Sequence, residues 1–379
     1  MRISVSRYFT VVLLVFLASF LILPSTKAVN NLFYVSFAMP ALVMLLLCKA
    51  QRPPMTALVG IWVAFFAWMA FHAIGVELQQ FKHLLYAALF CAAVWLWVEW
   101  QCFDQVQLYR IFFWSLIIYV ISSAVFYWLT GRVDVGERVL LLPGRMSGPI
   151  LTSMLIVSCF ALLLFEWIRN RHWLEMSAGL LAIFFCAGFV LQSRSGLVGM
   201  LVLLAAMFVW VFWRAAWVGR SAALLGAALL LLAGIGVFQH SDVAARLISR
   251  ADAGRFDLWQ QYFSLWMECG PLLGCGVEYM PDVRIFTGER VHHPHNIFLA
   301  IGFRYGMLGL VLFILALLTT LWQAWQQRNP WGGYLLIALF MLNFDGRELI
   351  NSPHEVWLLV LLPSMLIAAQ QRDKKRHPV

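Results

Sequence analysis

The chain has 379 residues, of which 63% are hydrophobic and 12% charged, with a mean hydropathy of +0.82. That balance excludes an ordinary soluble domain and leaves a polytopic membrane protein. The formal net charge of +9 would suit nucleic acid, but the positive residues sit in short loops between apolar runs, so membrane topology accounts for most of them and no nucleic-acid partner is expected.

Apolar runs of about 17 to 25 residues, long enough to cross hydrocarbon, recur near 8–23, 31–48, 55–74, 83–100, 108–129, 148–168, 173–192, 195–213, 221–238, 296–323, 331–344 and 355–370. Trp95, Trp97 and Trp100, then Trp210, Trp213 and Trp217, then Trp322 and Trp325 crowd span ends, as interfacial anchors do. Basic residues at Arg2 and Arg7, Lys49 and Arg52, Arg169 and Arg171, Arg214 and Arg220, Arg328, and 372–376 fall on alternate sides of successive spans. With twelve spans they share one face, which the positive-inside rule makes cytoplasmic, together with both termini. The first 28 residues admit a second reading, a signal peptide ending near Ser25-Thr26-Lys27-Ala28, although the apolar core is long and Lys27 spoils the small-residue pattern.

The expected fold is therefore an all-α integral membrane protein of about 12 transmembrane helices, a single polytopic domain over 1–379 with a long external loop at 239–295. In that loop Phe256, Trp259, Phe263 and Trp266 recur at three- and four-residue spacing, with Arg255, Asp257, Gln260, Gln261 and Ser264 between them. The pattern predicts an amphipathic helix on the outer membrane surface or over a cavity, ended by Gly270-Pro271. Two shorter external segments follow from the same topology, 130–147 and 345–355.

Of seven cysteines, Cys48, Cys91, Cys102, Cys159 and Cys186 lie in or beside spans, where they read as small apolar residues. Cys269 and Cys275 share the external loop, where a disulfide or two free thiols are both open readings. No metal-type CxxC spacing occurs.

The external face keeps Arg132, Arg138, Arg145, Arg194, Arg246, Arg250, Arg255, Arg284, Arg290 and Arg347. This runs against the usual bias and points to an anionic ligand, with phosphate or diphosphate the natural match to guanidinium forks. Arg194 stands in Gln192-Ser193-Arg194-Ser195-Gly196 at the start of a span, where a helix N-terminus also favours anions; a snorkelling arginine is the alternative. Arg255 opens the amphipathic helix and could instead pair with Asp252 or Asp257. Arg145 precedes another span. Arg304, inside the tenth span, reads as structural, bound to an acidic or carbonyl partner.

The run His293-Pro294-His295-Asn296 stands at the mouth of the tenth span. Imidazoles beside hydrocarbon are costly, and one there can serve as a general base or hydroxyl-orienting group. The alternative is a helix start capped by Asn296. Gly302, Gly306 and Gly309 form one stripe that would let a neighbouring helix approach. A zinc site built from His292, His293, His295 and His354 is disfavoured by the spacing, so no metal is expected. Asp345 could orient a catalytic His or Arg, or pair with Arg347.

Together these residues resemble the O-antigen ligase family of membrane glycosyltransferases. His295-Asn296, nine residues, Gly306, two more and Gly309 fit the family's histidine motif; Ser193-Arg194-Ser195-Gly196 looks like its helix start. Arg255, Trp259 and Pro271-Leu272-Leu273-Gly274-Cys275-Gly276 look like its loop, and Asp345 sits where an acid often falls. The stretch Arg145-Met146-Ser147-Gly148-Pro149 resembles another family element but lacks the Pro-Asn pair that often follows. The resemblance implies a GT-C-like fold in a Gram-negative inner membrane with a periplasmic active site. It implies an inverting, metal-independent enzyme without cofactor. The donor would be a glycan on undecaprenyl diphosphate and the acceptor a sugar hydroxyl of lipid A–core. On the same basis His295, Arg194 and Arg255 would be catalytic, with Arg145, Asn296, Asp345 and Arg347 binding substrate. The motif is shared with O-antigen polymerases, which leaves polymerisation as an alternative. A transporter of a lipid-linked anionic glycan is a third reading, disfavoured because the ionisable residues gather on one face without a repeat.

Overall fold

The computed structural model describes residues 4–47, 55–74, 78–146, 148–214, 254–284, 290–346 and 348–376. Among these residues helices make up the regular structure, and the only β pairing is two isolated bridges, Ser25 with Gly144 and Arg284 with Arg290. In chain order the helices are α1 (Val5–Ile22), α2 (Thr26–Leu47, with a π-helical turn at Tyr34–Ala38), α3 (Ala57–His72), α4 (Leu78–Trp97), α5 (Val106–Leu129), α6 (Pro149–Arg169), α7 (Trp173–Val190), α8 (Arg194–Arg214), α9 (Arg255–Cys269), α10 (Ile297–Gln327), α11 (Trp331–Asp345) and α12 (Leu362–Arg376, entered through a π-helical turn at Trp357–Leu361). Six of them, α1, α2, α5, α6, α7 and α10, are long and apolar enough to cross a membrane; α3, α8 and α11 carry shorter apolar stretches. The expected span at 221–238 lies outside the described residues, and each of the others coincides with a described helix.

The bundle is organised around α6, which begins at Pro149 and is buried along almost its whole length. Proline suits that first position because its missing N–H has no intrahelical partner there anyway. Buried Ser153 lets α8 come close: its hydroxyl bonds the Ser193 hydroxyl at 2.6 Å, and a Cβ on Gly196 would meet it at the same distance. α6 also packs against α5, α7 and α11. The α1 helix, read alternatively as a signal peptide, puts Phe9, Leu13 and Phe16 into the common core, against α2 and α4.

Two expectations need correction. In α9 the face turned inward is Leu258, Tyr262 and Trp266, all buried, whereas Phe256 and Phe263 are 67% and 52% exposed. The aromatic spacing in the sequence mixed two faces, because what selects the buried one is a stretch of this chain, at Val291 and Phe303. The Tyr262 hydroxyl donates to the Val291 carbonyl at 3.0 Å, and the Tyr262 and Phe303 rings meet edge to face.

The second correction concerns the glycines of α10, which serve three different neighbours. Gly302 faces Trp266 of α9, Gly309 faces Trp68 of α3, and Gly306 does not pack a helix at all. It leaves helical geometry, with φ 70° and ψ −176°, and bends α10, a backbone state open in practice only to glycine. α3 runs along α10, joined by Trp62 Nε1–H to the Thr320 hydroxyl (3.2 Å) and Trp68 Nε1–H to the Tyr305 carbonyl (2.9 Å).

Candidate active site

The mouth of α10 is assembled from three directions. Asn296 is its N-cap, with Oδ1 accepting the N–H groups of Phe298 and Leu299 at 3.0 Å each, which satisfies two of the donors that a helix start leaves open. Asn296 thus caps the helix, and that side-chain oxygen is committed to it. From the second direction α9 holds the preceding segment, with Trp259 Nε1–H donating to the Pro294 carbonyl at 2.9 Å. From the third, Gly346 closes the end of α11 onto the start of α10. A Cβ there would lie 2.3 Å from the Ile297 nitrogen, so only glycine lets these two backbones touch.

That contact delivers Asp345, the last residue of α11, to His295: the Asp345 carboxylate pairs with the His295 Nδ1. Asp345 is buried, whereas the imidazole stays partly open. His295 holds a left-handed backbone at φ 52°, an uncommon state for a residue with a side chain. A carboxylate on Nδ1 accepts the Nδ1–H and leaves the Nε2 lone pair for another proton, which is how a general base is oriented. The His293 ring lies 4.1 Å from the His295 ring, centroid to centroid.

Arg255, first residue of α9, acts electrostatically on the same Asp345 carboxylate. It follows Gly254, the N-cap of α9, itself left-handed at φ 69°. Arg194 is half-buried at the first residue of α8. A Cβ on Gly199 of α8 would lie 2.3 Å from the Met341 sulfur of α11, so the start of α8 and the end of α11 lie at the same end of the bundle. His295, Asp345, Arg255 and the helix start bearing Arg194 therefore converge on one end. Arg347 lies outside the described residues, as do Arg246 and Arg250.

Arg145 belongs to a neighbouring buried cluster. Its Nε–H donates to the Pro353 carbonyl at 2.9 Å, beside buried His354 and Glu355. Burial first, helped by the Arg145 charge, pushes the His354 imidazole down to about 4, against the pull of Glu355 and the carbonyls of Ser352 and Glu348. The sign follows: the unfolded chain, with an ordinary value of 6.5, binds the proton that the folded chain refuses, so folded stability is full above pH 6.5 and falls on acidification towards pH 4. Thermal denaturation across that window should show this loss, and His354→Gln should flatten it.

Sequence reasoning foresaw a partner for Arg304 without naming it. The partner is Glu348, with the Val277 carbonyl as a second acceptor, and this pair ties α10 to the loop after Asp345. Glu355 was not singled out; only its place beside His354 at a span boundary marks it. Several of the external arginines are engaged structurally: Arg284 and Arg290 with Asp282, and Arg138 with the Leu191 carbonyl.

Among the described residues, His293, His295 and Asp345 form a group whose ligand atoms lie within 4.8 Å of one another. It is the one such group among the described residues. It is not the set weighed from sequence, since His292 is exposed and both His354 ring nitrogens lie 2.9 Å from backbone carbonyls.

A model of the family described as O-antigen ligase matches residues 179–314, a stretch that takes in Arg194, Arg255 and the whole motif from His295 to Gly309. Over 370 residues the chain is 26% identical to an O-antigen ligase of Pseudomonas aeruginosa, a match covering 90% of this chain and 86% of that protein. The resemblance carried by the histidine motif is thereby shown: the chain is similar to the O-antigen ligases across that motif and, at 26% identity, over most of its length.

Proposed function

We propose that the protein is an O-antigen ligase of a Gram-negative inner membrane. It would transfer O-polysaccharide from undecaprenyl diphosphate to a sugar hydroxyl of lipid A–core, on the periplasmic side, with both termini cytoplasmic. The observation that carries this reading is the His295–Asp345 pair at the mouth of α10, with Arg255 acting on the same carboxylate. Nε2 of His295 accepts the acceptor hydroxyl proton as that oxygen attacks the anomeric carbon from the face opposite the diphosphate, inverting its configuration. The bond from the anomeric carbon to the diphosphate oxygen breaks, and the lipid diphosphate leaves with the electron pair. Arg194 and Arg255 bind the diphosphate and stabilise charge developing on it, the interaction that usually contributes most to such a step. Arginines in that role supply the neutralisation that a metal would otherwise give. The twelve-span, GT-C-like architecture and the substrate-side roles of Arg145 and Arg347 belong to the same proposal. A disulfide between Cys269 and Cys275 fits an oxidising compartment for this loop.

Purified protein supplied with lipid-linked polysaccharide and lipid A–core should form the ligated product, at a rate that EDTA leaves unchanged. Arg194→Ala should lower donor turnover by about 10²-fold, and Arg194→Lys should restore only part of it, because a lysine cannot grip phosphate through two donors. In a deletion strain, loss of all capped lipopolysaccharide with accumulation of lipid-linked polymer supports the reading; core bearing one repeat unit would instead identify a polymerase, and absence of product in vitro a transporter.

A further inference from the structure

α10 is broken at Gly306, and the groups its broken ladder exposes can be followed one by one. The Phe303 carbonyl accepts the Cys275 N–H (2.7 Å), the Arg304 carbonyl accepts the Gly276 N–H (3.1 Å), and the Met307 N–H donates to the Pro271 carbonyl (2.8 Å). The Tyr305 carbonyl takes the Trp68 indole. Three of the four partners come from the loop that follows α9, inserted backbone against backbone. A Cβ on Gly306 would lie 2.0 Å from the Leu272 oxygen, and one on Gly274 would lie 2.6 Å from the Gly306 nitrogen. Broken helices next to a bilayer persist only where such groups find partners, so the bend exists because the loop is there.

The loop in turn is held by a disulfide between Cys269, the last residue of α9, and Cys275, whose own N–H enters the bend. Cys91, Cys102, Cys159 and Cys186 are free thiols. The nine residues from Ile297 to the bend form one short helical segment capped by Asn296, so its direction fixes where the imidazole of His295 points relative to Asp345 on α11 and Arg255 on α9.

We propose that the Cys269–Cys275 disulfide and the loop it clamps are a positioning element for His295: the bridge keeps the loop seated in the bend of α10, and the seated loop keeps His295 in register with Asp345. This rests on the ligase reading for its activity measurement, though not for its structural one. When the bridge is reduced, the loop leaves the bend, the exposed carbonyls and N–H of residues 303–307 recover helical partners or water, and the first turns of α10 swing. The donor-side arginines keep their place, Arg194 on α8 and Arg255 at the opposite end of α9 from the bridge.

The test compares purified protein before and after reduction by a phosphine, alongside Cys269→Ser/Cys275→Ser and Gly274→Ala, which unseats the loop without touching the bridge. Each preparation is first checked for monodispersity. On reduction, kcat for transfer should fall about 10²-fold, the scale on which an ångström of misplacement acts, while the donor KM stays within about twofold. Amide exchange over 303–307 should accelerate in parallel, and reoxidation should restore both. The double serine variant should match the reduced protein and ignore reductant; Gly274→Ala should show the same kcat loss with its bridge intact. Unchanged exchange on reduction would overturn the clamp, and faster exchange with unchanged kcat would overturn the positioning role. Absence of product in both redox states would count against the ligase reading, while the exchange arm would still decide the clamp.

Discussion

His295→Ala should abolish polysaccharide transfer while the protein inserts and accumulates as the parent does. The expected loss is about 10²- to 10⁴-fold, the usual contribution of a positioned general base. The structure says why the effect should fall on chemistry and not on folding. The imidazole is partly open and its one described polar partner is Asp345, so removing it empties no packed core. The backbone at 295 is left-handed with either residue, so that cost is common to both. Removing the ring does leave Asp345 as a buried carboxylate short of a partner, and Arg255, whose charge already acts on it, moderates the penalty. Asp345→Asn provides the complementary measurement: it should keep the pairing geometry but stabilise the wrong imidazole tautomer, and so lower kcat with little change in donor KM. Normal surface O-polysaccharide in the His295→Ala strain would sink the assignment.

Gly306→Ala should be the most damaging of the conservative glycine substitutions. The new Cβ would stand 2.0 Å from the Leu272 oxygen and 2.6 Å from the Leu273 carbonyl carbon, both backbone atoms that cannot turn aside, and it would occupy a φ of 70° paired with an extended ψ. The strained backbone alone costs about 1–3 kcal/mol, and displacing the loop leaves several backbone groups unpaired at about 1–3 kcal/mol each. The sum is a large part of a typical folding free energy. Gly131→Ala is the matched control: its φ is 63°, yet nothing lies within 4 Å of its added Cβ, so it should lose only the conformational part, about 1 kcal/mol. Thermal denaturation followed by size exclusion distinguishes them. A Gly306→Ala melting point as high as that of Gly131→Ala would show that the bend is dispensable.

Hydrophobic run length was enough to find the apolar helices among the described residues, because burial in a bilayer demands long uninterrupted apolar segments whatever they pack against. It could not say which neighbour each small residue serves. Gly302, Gly306 and Gly309 look like one stripe in the sequence, but one meets Trp266, one a loop backbone and one Trp68. The same limit applied to α9, where Phe256 and Tyr262 are equally apolar on paper and only the presence of Val291 and Phe303 decides between them. At the site, His295 and Asp345 were legible as separate motif positions 50 residues apart. Their pairing rests on Gly346 pressed against Ile297, a contact between two helix ends that no local pattern encodes. The Arg304–Glu348 bridge was half legible, since a buried arginine announces a partner without identifying it.

The stretch from Arg255 to Gly306 is sewn to itself: Trp259 to Pro294, Tyr262 to Val291, Trp266 against Gly302, and Cys269 to Cys275 with its loop in the bend. Its ties outward are fewer, chiefly Asp345, Glu348 and the indole of Trp68. For anyone grafting between relatives this sets the seams of the graft. A chimera that cuts inside 255–306 must match both halves of every internal tie, whereas one that exchanges the stretch whole keeps them and has to honour the outward contacts alone, those polar ties together with Gly346 against Ile297 and the packing of Ile301 and Tyr305 in the main core.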